Sequence, residues 1–297
     1  MNQLLGRQDV NPDKPDNKGK TPLSYAAING KELVVKQLLD RQDVNPDQSD
    51  CNGITPLIEA AYGGHESVVK QFLNRQDVNP EESDNEGKTP LSYAAFSGKE
   101  SVVKQLLDRQ DVNPDKPDYS GITPLIEAAH SGYESVVKQL LNRLDVNPDN
   151  QDNEGKTALS YAAINGKELV VKQLLNRQDV NPNKQDKGRT PLSYAAIIGK
   201  ESVVKQLLDR QDVNPDKPDN EGRTALSYAA MQGHELVVKQ LLDRRDVNPG
   251  NPDNNGHAPL YYASIKGHEG VVSLLQAPIP NQIAVDQPLA SLPSSAL

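Results

Sequence analysis

Apolar residues recur along the chain in a pattern that predicts short amphipathic helices. Val34, Val35, Leu38 and Leu39 fall at positions i, i+1, i+4 and i+5, which places them on one face of an α-helix. The opposite face is polar and begins with Glu32. We therefore predict a helix that starts at Glu32, buries its valines and leucines and exposes its polar side.

A shorter apolar stretch comes before this helix. Thr21 is a favourable N-cap residue, and Pro22 suits the first helical position because its missing N–H has no partner to lose. Gly30 stands where the chain must leave the helix and turn through a positive φ angle. The stretch from Thr21 to Gly30 therefore predicts a first helix of about two turns.

This pair of predicted helices is repeated to the end of the chain. The interval from Thr21 to Thr55 is 34 residues, and one interval, from Thr157 to Thr190, is 33 residues. A period in this range is typical of solenoids, propellers and arrays. We number eight repeats from the aspartate near which each begins: Asp16, Asp50, Asp84, Asp118, Asp152, Asp186, Asp219 and Asp253.

Polar segments connect the predicted helix pairs. Asp-Val-Asn-Pro follows the second helix of repeats 1–7 and marks a turn, since Pro46 disfavours a helical Asn45 before it. The stretch after it, rich in Asp, Asn and Gly, predicts an extended finger with a tight turn near Asn17-Lys18-Gly19. The predicted fold class is therefore all-α, a solenoid of about eight helix-turn-helix repeats with finger loops over residues 16–276.

These landmarks resemble the ankyrin repeat. Asp-x-x-Gly-x-Thr-Pro-Leu, Ala-Ala-x-x-Gly, Val-Val-x-x-Leu-Leu and Asp-Val-Asn recur in phase, with small changes, over residues 16–276. Ankyrin repeats usually have His after Thr-Pro-Leu, where this chain has Ser24 or, in repeats 2 and 4, an isoleucine that cannot hydrogen-bond. The Gly that commonly ends the second helix is replaced by Arg41-Gln42, a loop style similar to fungal-type ankyrin arrays.

The repeats are not all alike. Repeats 1 and 3 share Lys-Thr-Pro-Leu-Ser-Tyr, whereas repeats 2 and 4 share Ile-Thr-Pro-Leu-Ile-Glu. This alternation indicates duplication of a two-repeat block. Repeat 6 has one residue fewer between Asp186 and Thr190, which predicts a shorter finger there.

Both ends of the chain depart from the repeat. Residues 1–15 match the end of a second helix and its finger, so we expect a partial N-terminal remnant, as in a fragment or short paralogue of a longer array. Residues 277–297 lose the period and are rich in Pro, Ser and Ala with one charge, Asp286. They predict a disordered C-terminal tail. A docking peptide is the alternative.

Charge and composition limit the class of partner. A net charge of −9 and a pI near 5.1 argue against nucleic acid and against an anionic membrane surface. The chain has one cysteine, no apolar run long enough to span a membrane, and no start typical of a signal peptide. We expect a cytoplasmic protein, with the nucleus as the alternative, and a monomer.

The catalytic and ligand-binding motifs that the sequence resembles are all incomplete, which favours a protein without enzymatic activity. Gly19-Lys20-Thr21 imitates the end of a phosphate-binding loop, but Lys14 stands where that motif needs its first glycine. Three histidines follow the inter-helix glycine, where ankyrin repeats often use them for local hydrogen bonding, and no two histidines have the spacing of metal ligands. Cys51 lies at a finger tip without a base beside it in the sequence. We predict no cofactor, no metal and no catalytic residues.

Comparison between repeats predicts where a partner binds. The pair of residues after Ala-Ala differs between most repeats, and the residue three positions before the first of them lies on the same side of the first helix. In the ankyrin family this side and the fingers line the concave groove, and aromatic residues are favoured in protein interfaces. The candidate partner-binding residues are Tyr25, Ile28, Glu59, Tyr62, Tyr93, Phe96, Tyr119, Glu127, His130, Tyr161, Ile164, Tyr194, Ile197, Tyr228 and Met231.

The resemblance implies a non-catalytic scaffold that binds a partner protein or peptide along this groove. Glu59 and Glu127 are expected to select against acidic partners. For the tyrosine row, packing on the next repeat as part of the scaffold is the alternative. For the whole chain, the alternative is a regulatory or sensor array derived from a larger multidomain receptor of the NTPase type.

Overall fold

A computed structural model describes residues 11–277 of the protein. The chain forms two compact units, divided between Asp186 and Lys187, which we call the N-terminal and C-terminal units. The C-terminal tail from residue 278 and the first ten residues of the N-terminal remnant lie outside the described residues. No helix within residues 11–277 has the length and apolar character needed to cross a membrane.

The described part of the N-terminal unit contains repeats 1–5 as five helix pairs. The first helices pack side by side in sequence order, and so do the second helices. The helices are α1 (Pro22–Ile28), α2 (Glu32–Leu39), α3 (Pro56–Gly63), α4 (Glu66–Leu73), α5 (Pro90–Phe96), α6 (Glu100–Leu107), α7 (Pro124–Ser131), α8 (Glu134–Leu141), α9 (Ala158–Ile164) and α10 (Glu168–Asn176).

The described part of the C-terminal unit contains repeats 6–8 in the same arrangement, with first helices packed on first helices and second on second. The helices are α11 (Pro191–Ile198), α12 (Glu201–Leu208), α13 (Ala225–Gln232), α14 (Glu235–Leu242), α15 (Pro259–Lys266) and α16 (Glu269–Gln276). The predicted all-α fold of about eight helix-turn-helix repeats is confirmed.

Each first helix of repeats 1–7 begins at its threonine for the predicted reason. The Thr21 hydroxyl accepts a hydrogen bond from the Ser24 backbone N–H at 3.2 Å, and the Ser24 hydroxyl accepts from the Thr21 N–H at 3.2 Å, which closes a capping box. In repeat 2 the threonine cap persists without this return bond, because Ile58 is buried in the core instead. Serine therefore has a capping role where the family usually has histidine.

The inter-helix histidines bind the neighbouring repeat. His65 Nε2 lies 2.9 Å from the Ile28 carbonyl oxygen at the end of α1. In the C-terminal unit, His234 makes the same contact to Ile197 at 3.1 Å. The expected hydrogen bonding is present, but it joins adjacent repeats and is not local.

Arginine takes over the function of the missing glycine at the end of the second helix. Arg109 Nη1 donates to the Leu73 carbonyl oxygen at 2.7 Å, at the C-terminus of α4 in the preceding repeat. Its Nε and Nη2 donate to the two carboxylate oxygens of Asp111 at 2.8 and 2.6 Å. Asp111 thereby holds the guanidinium group in place, and the arginine satisfies a carbonyl that the helix leaves unpaired.

We expect Arg109→Ala to lower the free energy of unfolding of the N-terminal unit by about 1–3 kcal/mol, because it removes hydrogen bonds made by a charged group and leaves a helix-end carbonyl without its donor. Gln110→Ala, at an exposed position of the same loop, is the control. Equilibrium urea unfolding followed by circular dichroism measures both. Equal destabilisation by the two variants would contradict the capping role.

Candidate partner-binding surface

The varying positions of the first helices form an exposed row beside a sealed core. Ala60 and Ala61 of α3 are fully buried, whereas Tyr62, the next residue, is 50% exposed. In α5, Phe96 is 47% exposed after two buried alanines. His130 is also exposed, and Ile28 and Ile164 are half-buried. The N-terminal unit therefore presents one apolar or aromatic side chain from each repeat.

Aromatic contacts connect this row to the next repeat. Tyr62 lies edge-to-face on Tyr93 of the following repeat, with ring centroids 5.9 Å apart. His130 and Tyr161 make the same contact at 5.3 Å, two repeats further along the chain. Edge-to-face packing is a favoured arrangement of aromatic rings. It joins the surfaces of repeats 2 and 3 and those of repeats 4 and 5.

The tyrosine row is tied to the fingers. The Tyr93 hydroxyl donates to Asp84 Oδ2 at 2.7 Å, while Asp84 Oδ1 accepts the backbone N–H groups of Glu86 and Lys88 at 2.9 and 2.8 Å. Burial and the Asp84 carboxylate both raise the pKa of Tyr93. The same tyrosine-to-aspartate bond, over nine residues, is made by Tyr25 and Tyr161. These tyrosines brace the finger against the first helix.

In repeat 2, Glu59 stands where other repeats have the tyrosine. A lysine from the preceding repeat, instead of a tyrosine hydroxyl, contacts the finger aspartate. Lys20 forms ion pairs with Glu59 and, at 3.1 Å, with Asp50. Burial alone would lower the pKa of Lys20, but its hydrogen bonds to the two carboxylates raise it. The charge of Glu59 is thus offset within the protein, which weakens the expectation that it repels acidic partners.

Repeat 4 also has a glutamate, Glu127, at the position of Glu59, but this side chain is more buried. Glu127 is only 8% exposed, and the charge of Lys88 from the preceding repeat acts on it. Burial raises the pKa of Glu127, and Lys88 opposes that shift. Little of the Glu127 side chain is open to a partner, and its role in partner binding stays a prediction.

Tyr119 extends the exposed surface to a finger tip. Its side chain is 74% exposed, and its backbone N–H donates to the Glu86 carbonyl oxygen of the preceding finger at 2.9 Å. The ring lies directly on Gly87, where an added Cβ would come within 2.8 Å of it. Glycine at position 87 thus lets the tyrosine lie flat between adjacent fingers.

In the C-terminal unit, arginines cover the tyrosine of repeat 7. Tyr228 is 4% exposed, and Arg189 and Arg223 lie over its ring at 5.4 and 5.0 Å from the centroid. Arg189 Nε donates to the Tyr228 hydroxyl at 3.0 Å, and that hydroxyl donates to Asp219. Two guanidinium groups thus cover Tyr228, which favours the alternative that this tyrosine packs as part of the scaffold. Sequence reasoning missed both arginines, although they share the position of Lys20.

The remaining candidates in the C-terminal unit, Tyr194, Ile197 and Met231, are half-buried. Within residues 11–277 no group of three or more metal-ligating side chains is brought together. Cys51 is an exposed free thiol at its finger tip. The second helices enclose shallow clefts, such as one of 390 Å³ lined by Leu73 and Arg109. Arg109 is already engaged in capping there.

A family model described as ankyrin repeats (three copies) matches residues 1–82, 35–118, 67–152, 125–219 and 192–284. The chain belongs to the ankyrin-repeat family. Similar solved structures are the ankyrin repeat domain of Bcl-3, a member of the IkappaB protein family, at 24% identity, and the ankyrin repeat protein EF0377, at 27% identity. A comparison with curated proteins gave no match.

The structural similarities cover most of those two chains. The Bcl-3 domain aligns over 76% of this chain and 99% of its own, with a TM-score of 0.67. EF0377 aligns over 62% of this chain and 95% of its own, with a TM-score of 0.59. Ankyrin repeats are a general protein–protein interaction fold and are generally non-catalytic scaffolds.

Proposed function

We propose that this ankyrin-repeat protein is a non-catalytic scaffold that binds a partner protein or peptide along its first helices and fingers. The observation that carries the proposal is the half-exposed aromatic pair Tyr62 and Phe96, each directly after a fully buried Ala-Ala. An aromatic ring held at the surface by a rigid helix is the kind of anchor that dominates protein interfaces. This side of the repeat is the concave one in the family.

The pattern of constancy and change supports the same surface. The buried leucine, alanine and valine positions are nearly identical between repeats, because each packs on a near-copy of itself. The pair of residues after Ala-Ala differs between most repeats, and its members are exposed or half-buried. We assign partner contact to the accessible candidates, which are Tyr25, Ile28, Glu59, Tyr62, Tyr93, Phe96, Tyr119, His130, Tyr161, Ile164, Tyr194, Ile197 and Met231.

We expect Tyr62→Ala combined with Phe96→Ala to weaken partner capture about tenfold or more, because interface aromatics often contribute more than 1 kcal/mol each. The matched control is Leu169→Ser, since Leu169 is 53% exposed on a second helix and Ser101 stands at the same position in repeat 3. Affinity capture with the full chain as bait, quantified by mass spectrometry, measures the effect. Undiminished capture by the double variant would overturn the surface assignment.

A regulatory function in a larger protein is the second candidate. The arginine that caps the preceding second helix belongs to the Arg-Gln-Asp-Val-Asn-Pro loop, which resembles fungal-type ankyrin arrays. In that setting the array controls an effector region of a multidomain NTPase-type receptor. A genomic reading frame that continues upstream of Met1 would favour this candidate. In either case we propose a monomer in the cytoplasm or nucleus, without nucleic acid or membrane as partner.

A further inference from the structure

The residue just before the first-helix N-cap is basic in six repeats, and five of the six have an acidic partner. Lys20 pairs with Asp50 and Glu59 in the next repeat. The other four pair with an acid of their own finger. The nitrogen-to-oxygen distances are 3.3 Å for Lys88–Glu86, 2.6 Å for Arg223–Glu221 and 3.9 Å for His257–Asp253, and Lys156 pairs with Glu154 in the same way. The remaining one, Arg189, has no ion pair among residues 11–277.

The shorter finger of repeat 6 explains why Arg189 lacks a partner. The residue missing between Asp186 and Arg189 is the one at which Glu86, Glu154 and Glu221 stand in other repeats. The next repeat supplies no glutamate either, because Tyr228 stands where Glu59 faces Lys20 in repeat 2. One deletion and one substitution therefore leave Arg189 without an ion pair among residues 11–277, although the charge of Asp219 acts on it.

Contacts on one edge fix the position of the Arg189 guanidinium group. Nε donates to the Tyr228 hydroxyl at 3.0 Å, and Cζ lies over the ring at 5.4 Å from its centroid, so two contacts with Tyr228 hold the group. Neither Nη atom has a hydrogen-bond acceptor in the described part of the chain. An arginine held in this way presents the N–H groups of its two remaining nitrogen atoms, Nη1 and Nη2, as a fork, the geometry that suits a carboxylate or phosphoryl group.

Asp219 lies nearby, but both of its carboxylate oxygens already accept hydrogen bonds from other groups. Its Oδ1 accepts the backbone N–H groups of Glu221 and Arg223, both at 2.9 Å. Its Oδ2 accepts the Tyr228 hydroxyl and, at 3.2 and 3.1 Å, Nε and Nη2 of Arg223. Glu221 is likewise paired with Arg223. Asp219, the acid whose charge acts on Arg189, is thus occupied by other donors.

We propose that Arg189 binds an oxyanion, a carboxylate or phosphoryl group, carried by a side chain of the partner segment that lies on the first helices and fingers of the C-terminal unit. This inference rests on the proposed function and names the chemistry of the partner. Acidic character is therefore required of the partner at one point, even though the chain itself is acidic.

The test uses the full chain to select binders from a random twelve-residue peptide display library. Peptides enriched by the wild-type protein are expected to share an Asp or Glu. The affinity of an enriched peptide is then measured for wild type and for three variants. Arg189→Ile introduces the residue that Ile54 and Ile122 provide at this position, Arg189→Lys keeps the charge but not the fork, and Lys156→Ile removes a paired cation.

Arg189→Ile is expected to weaken binding about tenfold or more, the scale of a charge-assisted hydrogen-bonded pair. The affinity of Arg189→Lys should lie between those of Arg189→Ile and wild type, and Lys156→Ile should leave binding unchanged. Replacing the acidic residue of the peptide by Gln should weaken binding by the same factor as Arg189→Ile does. A phosphoserine in its place distinguishes the sources, since tighter binding identifies a phosphoryl group and weaker binding a carboxylate.

Two outcomes separate the inference from the proposed function. Enriched peptides without a shared acid, bound equally by wild type and Arg189→Ile, would overturn the role of Arg189 and leave the scaffold function standing. No enrichment by the wild-type protein would contradict both. Hydrogen exchange on Arg189→Ile confirms that α11 and α13 remain folded, so that a loss of binding is not a loss of structure.

Discussion

Replacing Phe72 with alanine is expected to lower the free energy of unfolding of the N-terminal unit by about 3–5 kcal/mol. Phe72 lies in α4, is fully buried, and belongs to the helix layer that packs between α2 and α6. The substitution removes the largest fully buried side chain among the described residues and leaves a cavity that the flanking helices cannot fill without moving. In a repeat array this loss affects the interfaces on both sides of the altered repeat.

Phe72→Leu is the matched control, because leucine stands at this position as Leu38, Leu106 and Leu140. We expect a cost of about 1.5 kcal/mol or less for this change. Urea unfolding gives the two free energies, and hydrogen exchange shows whether the weakened amides are those of α2, α4 and α6. A similar cost for both variants, or protection lost uniformly along the unit, would contradict packing between neighbouring repeats as the source of stability.

Local signals in the sequence were sufficient for the fold. The threonine cap, the proline after it and the glycine of positive φ each act within a few residues, so Thr21, Pro22 and Gly30 predict a helix without knowledge of its neighbours. Repetition then removes most alternatives, since eight copies of one pattern must fold alike. The same reasoning predicted the second helix to start at Glu32, where the structure has it.

The candidate surface was harder to predict, because its decisive contacts join residues of different repeats. Lys20 and Glu59 are 39 residues apart, as are Arg189 and Tyr228, and neither pair is visible in one repeat alone. The alternation of Lys-Thr-Pro-Leu with Ile-Thr-Pro-Leu was the available signal. It was interpreted as a trace of duplication, but a lysine in one repeat also accompanies a glutamate in the next. The covering of Tyr228 by Arg189 is one such contact.

Replacing Lys20 with isoleucine is expected to destabilise the N-terminal unit by about 2–4 kcal/mol, between the costs of breaking exposed and buried ion pairs. The side chains of Asp50 and Glu59 are 3% and 18% exposed, and the change leaves them together without their cation. In the wild type, burial raises the pKa of Asp50, but hydrogen bonds from Lys20 and from backbone N–H groups lower it overall. Asp50 therefore stabilises the fold above its ordinary pKa, and that contribution is lost as the pH falls.

The difference in unfolding free energy between wild type and Lys20→Ile should accordingly be largest near neutral pH and shrink below about pH 4, as Asp50 is protonated. Adding Glu59→Tyr should restore most of the stability at neutral pH. The double variant recreates the combination of Ile54 with Tyr93, and its new phenol would have Asp50, nine residues earlier, as acceptor. Urea unfolding of the two single variants and the double variant at both pH values measures the coupling. Additive costs would show that the alternation has no pairwise energetic basis, whereas recovery in the double variant would show that this chain uses two interchangeable ways to join one repeat to the next.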